Sequence, residues 1–544
     1  MVAKHNAWNG WIVALLLLPS AWFLASFSDL PRFGQLHDDT MYLVSAKSLA
    51  AGHGYRIESL PEAPPQTKYP PLYPLLLSIA WRVTPDFPGT LPLAGWLSWL
   101  ALPAIMAQLG WLFLRMGFAR GKTWLLLSLF ALNPYVILFS SQLLSELWFL
   151  AFVLAAMAAM ERAREVGSVR WAVAAGGLAG LAYLTRSAGI ALFAGGALYL
   201  WMRRERRLAR YFAASAAPFA LGWMIWVRLH QTPTNDPELL YYLDYFRYEL
   251  YAVSWADLPV VLWKNADGLL AGLGGLLLPK LTGSLFEKII AQVLAVAMIS
   301  GVVRLLRRGS AVLFGWFAAF SVLLLLVWHF PPNERFMLPL FPLALAGLLV
   351  EGEHFASLLA ASRRHKDRGQ RATGGIMLGF AGLFAFALGA VQIYVAFLYL
   401  PEDARTHRAD SEHRAASYRW LAANTPPDAA VLSADDGLVY LHTGRKAMRR
   451  PVPPFLWYRE DHPGTVAWLG APEEFARRHG LNYLDFAGAD VSLGIGDEDS
   501  AAITQKLASS ADLQPVMQQG KATIYAVRPT ASAELHTAPL PPAR

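Results

Sequence analysis

Two adjacent acids, Asp38 and Asp39, stand just beyond the first apolar run of the chain, in front of a short helical pattern from Thr40 to Ala51. A carboxylate at a membrane rim suits a base that takes the proton of an attacking hydroxyl. Neighbouring helical residues do not share a face, so at most one of the pair points at a given substrate atom. The other suits the N-cap, where Asp accepts hydrogen bonds from the first free backbone N–H groups. The plain alternative is that both acids cap or solvate the loop. Cationic side chains follow at predicted outer membrane ends: Lys68, Arg186 and Arg335, with Glu146 at another span end as a candidate for orienting substrate. Charge-assisted hydrogen bonds from such cations are stronger than neutral ones. Each also has a plainer role. Lys68 reads equally as an exposed side chain, the arginines as snorkelling span-end residues, Arg335 as the partner of Glu334, and Glu146 as a hydrated helix-end acid. His53, His329 and His442 are too scattered for a metal site, and Asp435 with Asp436 suits a turn between two predicted strands. The chain contains no cysteine, which excludes disulfides, thiolate metal sites and cysteine nucleophiles.

The elements that must position these residues are membrane helices. The 544 residues are 55% hydrophobic and 16% charged, with a mean hydropathy of +0.34, against about 45–50% and about 25% in soluble proteins. A helix needs about 20 apolar residues to cross the hydrocarbon. Eleven spans are read near residues 10–27, 91–114, 123–140, 144–160, 171–185, 187–202, 211–229, 285–303, 311–328, 336–350 and 373–397. Basic clusters fall at every second connection: Arg115, Arg120 and Lys122; Arg162, Arg164 and Arg170; Arg203 to Arg210; Arg304, Arg307 and Arg308; Arg363 to Arg371. Cationic loops stay in the cytoplasm, so these five are expected inside, with the N-terminus inside and the C-terminal region outside. The first run, after Lys4, suits an anchor or a cleaved signal peptide; its continuation into a polytopic chain favours the anchor, and either reading leaves residue 38 outside. The excess of 47 basic over 39 acidic residues, +8, therefore reports topology, and nucleic-acid binding is not expected.

Two outside segments exceed ordinary helix connections, which suggests function. Residues 28–90 hold the acidic pair, a predicted interfacial helix over Thr40 to Ala51, and a dozen apolar residues from Leu72 to Val83 that suit a juxtamembrane or re-entrant piece. Residues 230–284 carry Tyr241, Tyr242, Tyr245, Tyr248 and Tyr251, read as packing in preference to an aromatic belt, and a Gly-rich apolar stretch. After Leu400 the composition turns soluble. Strands are expected at Ala429 to Ala434, Gly437 to His442, Leu481 to Phe486 and Ala522 to Val527, and helices at Arg414 to Asn424, Glu473 to His479 and Ala501 to Ser510. The expected organisation is a polytopic α-helical membrane module over 1–400, a small extracytoplasmic α/β domain over 401–530, and a disordered tail over 531–544.

Along the chain, Asp38-Asp39-Thr40-Met41-Tyr42, Ala50-Ala51-Gly52-His53-Gly54-Tyr55 and Lys68-Tyr69-Pro70-Pro71-Leu72-Tyr73-Pro74 occur in that order. Asn133-Pro134, Ser145-Glu146, Gly180 to Arg186 and Glu334-Arg335-Phe336-Met337-Leu338-Pro339 follow. This succession resembles the GT-C superfamily of polytopic glycosyltransferases, which includes the dolichyl-phosphate-mannose protein mannosyltransferases and the bacterial lipid A aminoarabinose transferases. It covers essentially the whole chain, and the order carries more weight than any single motif. The family's pair is commonly Asp-Glu where this chain has Asp-Asp; position matching favours Asp38 as the catalytic acid, with Asp39 second. The resemblance implies inverting transfer of a hexosyl or pentosyl unit from a polyprenyl-phosphate donor to an acceptor hydroxyl of a lipid, glycan or protein, outside a bacterial inner membrane. Some members use a divalent ion, but the first external loop has no DxD triplet, so no metal or other cofactor is expected. The rival readings are a transporter, which would place paired repeats and ionisable groups at mid-membrane, and a scaffold for envelope glycan assembly.

Overall fold

The computed structural model describes residues 10–244, 247–248, 253–328, 330–363, 368–487, 497–519 and 522–528. Tyr245, Tyr251, His329 and the predicted disordered tail lie outside these residues. Helices α1 (Gly10–Ser26), α2 (Asp38–Ala50), α3 (Leu72–Val83), α4 (Leu91–Trp99), α5 (Ala101–Arg115) and α6 (Arg120–Ala131) come first. They are followed by α7 (Pro134–Ser140), α8 (Glu146–Val166), α9 (Val169–Thr185), α10 (Ile190–Met202), α11 (Arg206–His230) and α12 (Pro237–Leu243). Further long helices cover Leu258–Gly275, Leu285–Arg307, Val312–Leu326, Phe341–Arg363, Arg368–Tyr394 and Leu400–Asn424.

Every predicted span coincides with one or two of these helices. Five stretches are long and apolar enough to cross a membrane individually: Leu91–Arg115, Arg206–His230, Leu285–Arg307, Glu334–Ala361 and the apolar part of Ala372–Asn424. A sixth is the pair α6 and α7, bent by 58° where Asn133 caps α7 and Pro134 opens it. Other apolar helices are shorter; the 17 residues of α1 rise about 26 Å, near the lower limit for a span. Glycines set the closest helix contacts. A Cβ at Gly176 or Gly180, four residues apart on α9, would strike Phe212 and Ser215 or Phe219 of α11, so the two helices approach through small residues as membrane helices commonly do. Residues of two basic clusters pair with acids on neighbouring helices: Glu161 bridges Arg115 at 3.0 Å, Lys122 meets Glu353 at 2.6 Å and Arg304 meets Glu351 at 2.6 Å.

The C-terminal domain carries a five-stranded sheet ordered β2-β1-β3-β5-β4, formed by β1 (Ala430–Ser433), β2 (Lys446–Met448), β3 (Tyr483–Ala487), β4 (Leu513–Gln519) and β5 (Ala522–Val527). Strands β2, β1 and β3 run parallel, with Val431 opposite both Ala447 and Tyr483, and β5 and β4 complete the sheet antiparallel. Two expected strands, β1 and β3, are offset by a residue or two, and β2 and β4 were not expected. Gly437 to His442 is a correction: it is helix Asp436–Thr443, ended by Gly444 in the left-handed conformation. Its continuous apolar run Leu438 to Leu441 has no period to separate strand from helix, and burial of Val439, Tyr440 and Leu441 in the domain settles it.

The first loop differs from its expected form at the acidic pair. Helix α2 is packed between α3 and the soluble domain, with Met41, Leu43, Val44 and Ala46 all buried. Neither acid is its N-cap. That position is His37, whose side chain makes no capping bond, and both acids occupy the first turn, where negative charge suits the positive end of the helix dipole. The loop before α2 is tied to helix Leu400–Asn424 by Arg32–Asp403 and Arg408–Asp29, each at 2.6 Å.

Candidate active site

A cavity of about 1820 Å³ lies between the membrane helices and the soluble domain. Asp38, Lys68, Glu146, Arg186 and Arg335 all line it, so the chain brings together every predicted site residue except Asp39. The Asp38 carboxylate accepts twice: Oδ1 takes the Tyr69 hydroxyl, and Oδ2 takes Nη2–H of Arg335 at 2.7 Å. Arg335 also donates through Nε to Glu146 Oε1. The same Glu146 oxygen lies 2.8 Å from Nη1 of Arg186. Glu146, 1% exposed, is thus the buried counter-ion that aligns two guanidinium groups, while its Oε2 has no hydrogen-bond partner among the described residues. Formally, three cations (Lys68, Arg186, Arg335) face two carboxylates (Asp38, Glu146), leaving the cluster at 3 − 2 = +1.

Local structure explains each placement. Arg335 follows Asn333, whose side chain accepts the Arg335 backbone N–H at 3.1 Å and starts a single helical turn. Helix Leu258–Gly275 can press against that turn because a Cβ at Gly272 would stand 2.7 Å from the Asn333 carbonyl carbon, which accounts for part of the Gly-rich stretch. Arg186 occupies the extended break between α9 and α10. Glu146 opens α8 directly after Ser145, whose hydroxyl meets both Tyr42 at 3.1 Å and Arg186 at 3.2 Å. Buried Gln66 turns Lys68 and Tyr69 toward the cavity by accepting both their backbone N–H groups, at 3.0 and 3.3 Å. The Lys68 ammonium rests 3.7 Å from the centre of the Tyr241 ring, a cation–π contact.

The two acids are driven in opposite directions by their surroundings. Burial pushes the Asp38 carboxyl up, but Arg335, Lys68, the Tyr69 hydroxyl and Arg186 together hold it well below the usual carboxylate range. Asp39 is 2% exposed and turned away from the cavity. It accepts the backbone N–H of Gly34 at 3.0 Å and of Thr40 at 2.7 Å, and burial still raises it to about 7. Its proton is bound more tightly in the folded chain than in the unfolded one, so this contribution to stability is full below the ordinary carboxylate value and fades as pH rises toward 7. Thermal unfolding of Asp39→Asn between pH 4 and 7 should therefore lose less stability with rising pH than the parent chain, and an unchanged slope would contradict the assignment.

Several contributors were not singled out in the sequence. Tyr69, within the Lys68-to-Pro74 motif, donates its hydroxyl to Asp38. Asp436 is a further correction: it forms no simple surface turn, is fully buried, and accepts hydrogen bonds from His37 and Tyr242. Tyr241, Tyr242 and Tyr248 do pack, as expected, and Tyr241 and Tyr248 also line the cavity with Arg449 of the soluble domain. Among the described residues no three His, Asp or Glu side chains gather as a metal site, and both Asp38 oxygens are engaged by a hydroxyl and a guanidinium.

No protein-family model matches the chain, and no curated protein sequence matches it. Solved structures do. A crystal structure of ArnT from Cupriavidus metallidurans bound to undecaprenyl phosphate is similar over 96% of this chain and 98% of that one, with 14% identity and a TM-score of 0.50. The apo crystal structure of the same protein gives 14% identity and a TM-score of 0.50 over 95% and 98%. The shared feature is the fold: a module of apolar helices joined to a small domain with a sheet.

Proposed function

We propose that this GT-C-like chain is an inverting glycosyltransferase. It moves a hexosyl or pentosyl unit from a polyprenyl-phosphate carrier to an acceptor hydroxyl at the extracytoplasmic face of a bacterial inner membrane, with eleven crossings, the N-terminus inside and the soluble domain outside. The observation that carries this reading is the Asp38 carboxylate set against Arg335, Arg186 and Lys68 in one cavity. The excess of cations in that cluster suits a negatively charged phosphodiester donor. An apolar flank leads to it: Leu221, Met224 and Ile225 of α11 line the cavity while remaining more than half exposed, which suits the isoprenoid chain of a carrier entering from lipid. The ArnT structure holding undecaprenyl phosphate makes such a carrier the first candidate.

A phosphate on the anomeric carbon already leaves readily, so the protein needs cations for the departing charge and one base for the incoming hydroxyl. Arg335 has five N–H donors and uses two on Glu146 and Asp38, leaving others for phosphate oxygens. When phosphate engages Arg335, that guanidinium neutralises Asp38 less and the carboxylate gains basicity. The acceptor hydroxyl becomes acidic as its oxygen bonds to the anomeric carbon, so even a carboxylate of low proton affinity takes the proton late in the step. Attack on the face opposite the phosphate inverts the centre. The acceptor is a lipid, a glycan or a protein side chain.

Deleting the protein in its host and comparing extracytoplasmic glycans by mass spectrometry tests the reading. One sugar should disappear and its charged carrier lipid accumulate. Unchanged glycans and carrier pools would refute it.

A further inference from the structure

The soluble domain reaches the residue before the predicted base through a buried contact. Helix Asp436–Thr443 enters beside α2 so closely that a Cβ on Gly437 would stand 2.6 Å from Thr40, and one on Gly34 would collide with Leu438. At its start, Asp436 is 0% exposed and accepts Nε2–H of His37 at 3.0 Å, the Tyr242 hydroxyl at 2.5 Å and its neighbour Gly437 N–H at 2.8 Å. On the other edge of the imidazole, Nδ1 accepts the Tyr241 hydroxyl at 2.7 Å. A carboxylate only accepts, so these partners assign the proton to Nε2 and fix the ring plane. Burial lowers His37 below its ordinary value, in keeping with a neutral ring.

His37 immediately precedes Asp38 and has φ +48°, a conformation that non-glycine residues seldom adopt and that persists where the surroundings over-determine it. This turn of the backbone sends Asp38 into the cavity and Asp39 away from it. Asp436 itself is not among the residues lining the cavity.

We infer that Asp436 is a positioning residue for Asp38: from the soluble domain it clamps the His37 ring, holds the positive-φ backbone at that residue, and thereby sets the direction of the Asp38 carboxylate. This inference rests on Asp38 acting as the base. It makes the C-terminal domain part of the reaction apparatus.

The test uses the full chain in membranes of the deletion strain, which retain unmodified acceptor, with the carrier lipids extracted from that strain as donor. Asp436→Asn is expected to lower kcat roughly 10- to 100-fold, the scale of a small misplacement of a reacting group, with donor KM and undecaprenyl-phosphate affinity within about twofold of the parent. Glu460→Gln is the control. It breaks the 2.6 Å bridge to Lys264, another contact of the soluble domain with the membrane helices, without touching the first loop, and should leave kcat unchanged. Because Asp436 acts through the His37 ring, adding Asp436→Asn to His37→Asn should cost no more than His37→Asn alone. A parental kcat in Asp436→Asn, an equal loss in Glu460→Gln, or losses that multiply in the double variant would each overturn the inference. If Asp436→Asn does not fold, Tyr242→Phe, which removes one bond to Asp436, decides by a smaller fall in kcat or none. An inactive parent chain would instead sink the transferase reading itself.

Discussion

Asp38→Asn should lower sugar transfer by about 10²- to 10⁴-fold, the usual contribution of a positioned general base. The amide keeps the shape of the carboxyl, with its one oxygen accepting from Arg335 and its NH2 donating to the Tyr69 hydroxyl oxygen in place of the two carboxylate acceptors; what it lacks is the capacity to take a proton. The fold should survive, because Glu146 continues to hold both guanidinium groups. Removing the carboxylate also leaves Arg335 with one anion fewer, so undecaprenyl-phosphate affinity should hold or rise while turnover collapses. That split separates loss of a base from loss of a binding site. Asp39→Asn should cost far less, because Asp39 faces Gly34 and Thr40 and not the cavity. Parental transfer rates in both variants, each folded, would remove the acidic pair from the chemistry.

Arg335→Gln should be the most damaging single change to both stability and donor use. Its guanidinium is 8% exposed and joins Asp38, from 297 residues away, to Glu146, from 189 residues away. Removing it leaves two carboxylates with only Arg186 and Lys68 nearby, and breaking a buried ion pair by deleting one partner costs about 3–5 kcal/mol. Thermal unfolding in detergent should show a large fall, and donor KM should rise more than acceptor KM. Without the guanidinium the Asp38 carboxyl moves up toward the ordinary carboxylate range, so the acid limb of the pH–rate profile shifts to higher pH. Arg335→Lys should not restore donor use, since a point-like ammonium cannot reach Glu146 and Asp38 in the geometry of a planar fork. A variant at this position with parental stability and donor KM would contradict the site as drawn.

Much of the frame was legible because it depends on local pattern. Apolar runs of span length must be helices where no water is present to satisfy the backbone, and all eleven read from the sequence fall on helices. Pro70, Pro71 and Pro74 mark the start of α3, whose observed bounds match the expected Leu72 to Val83. The order of short motifs pointed to Asp38, Lys68, Glu146, Arg186 and Arg335. It failed where burial outranks pattern. Leu438 to Leu441 has no period to choose helix over strand, and the Asp435-Asp436 pair reads as a turn until one of its carboxylates is seen under His37.

What the chain determined by itself, then, is the membrane class, the rough position of each helix and the residue types capable of the chemistry, since composition and periodicity are properties of neighbours along the sequence. Only the tertiary structure decided which acid faces the cavity, that Glu146 serves the arginines, and that a carboxylate 399 residues beyond His37 meets its ring. Those outcomes depend on a backbone dihedral at one residue and on charges brought together by packing. Neither leaves a trace in spacing along the chain.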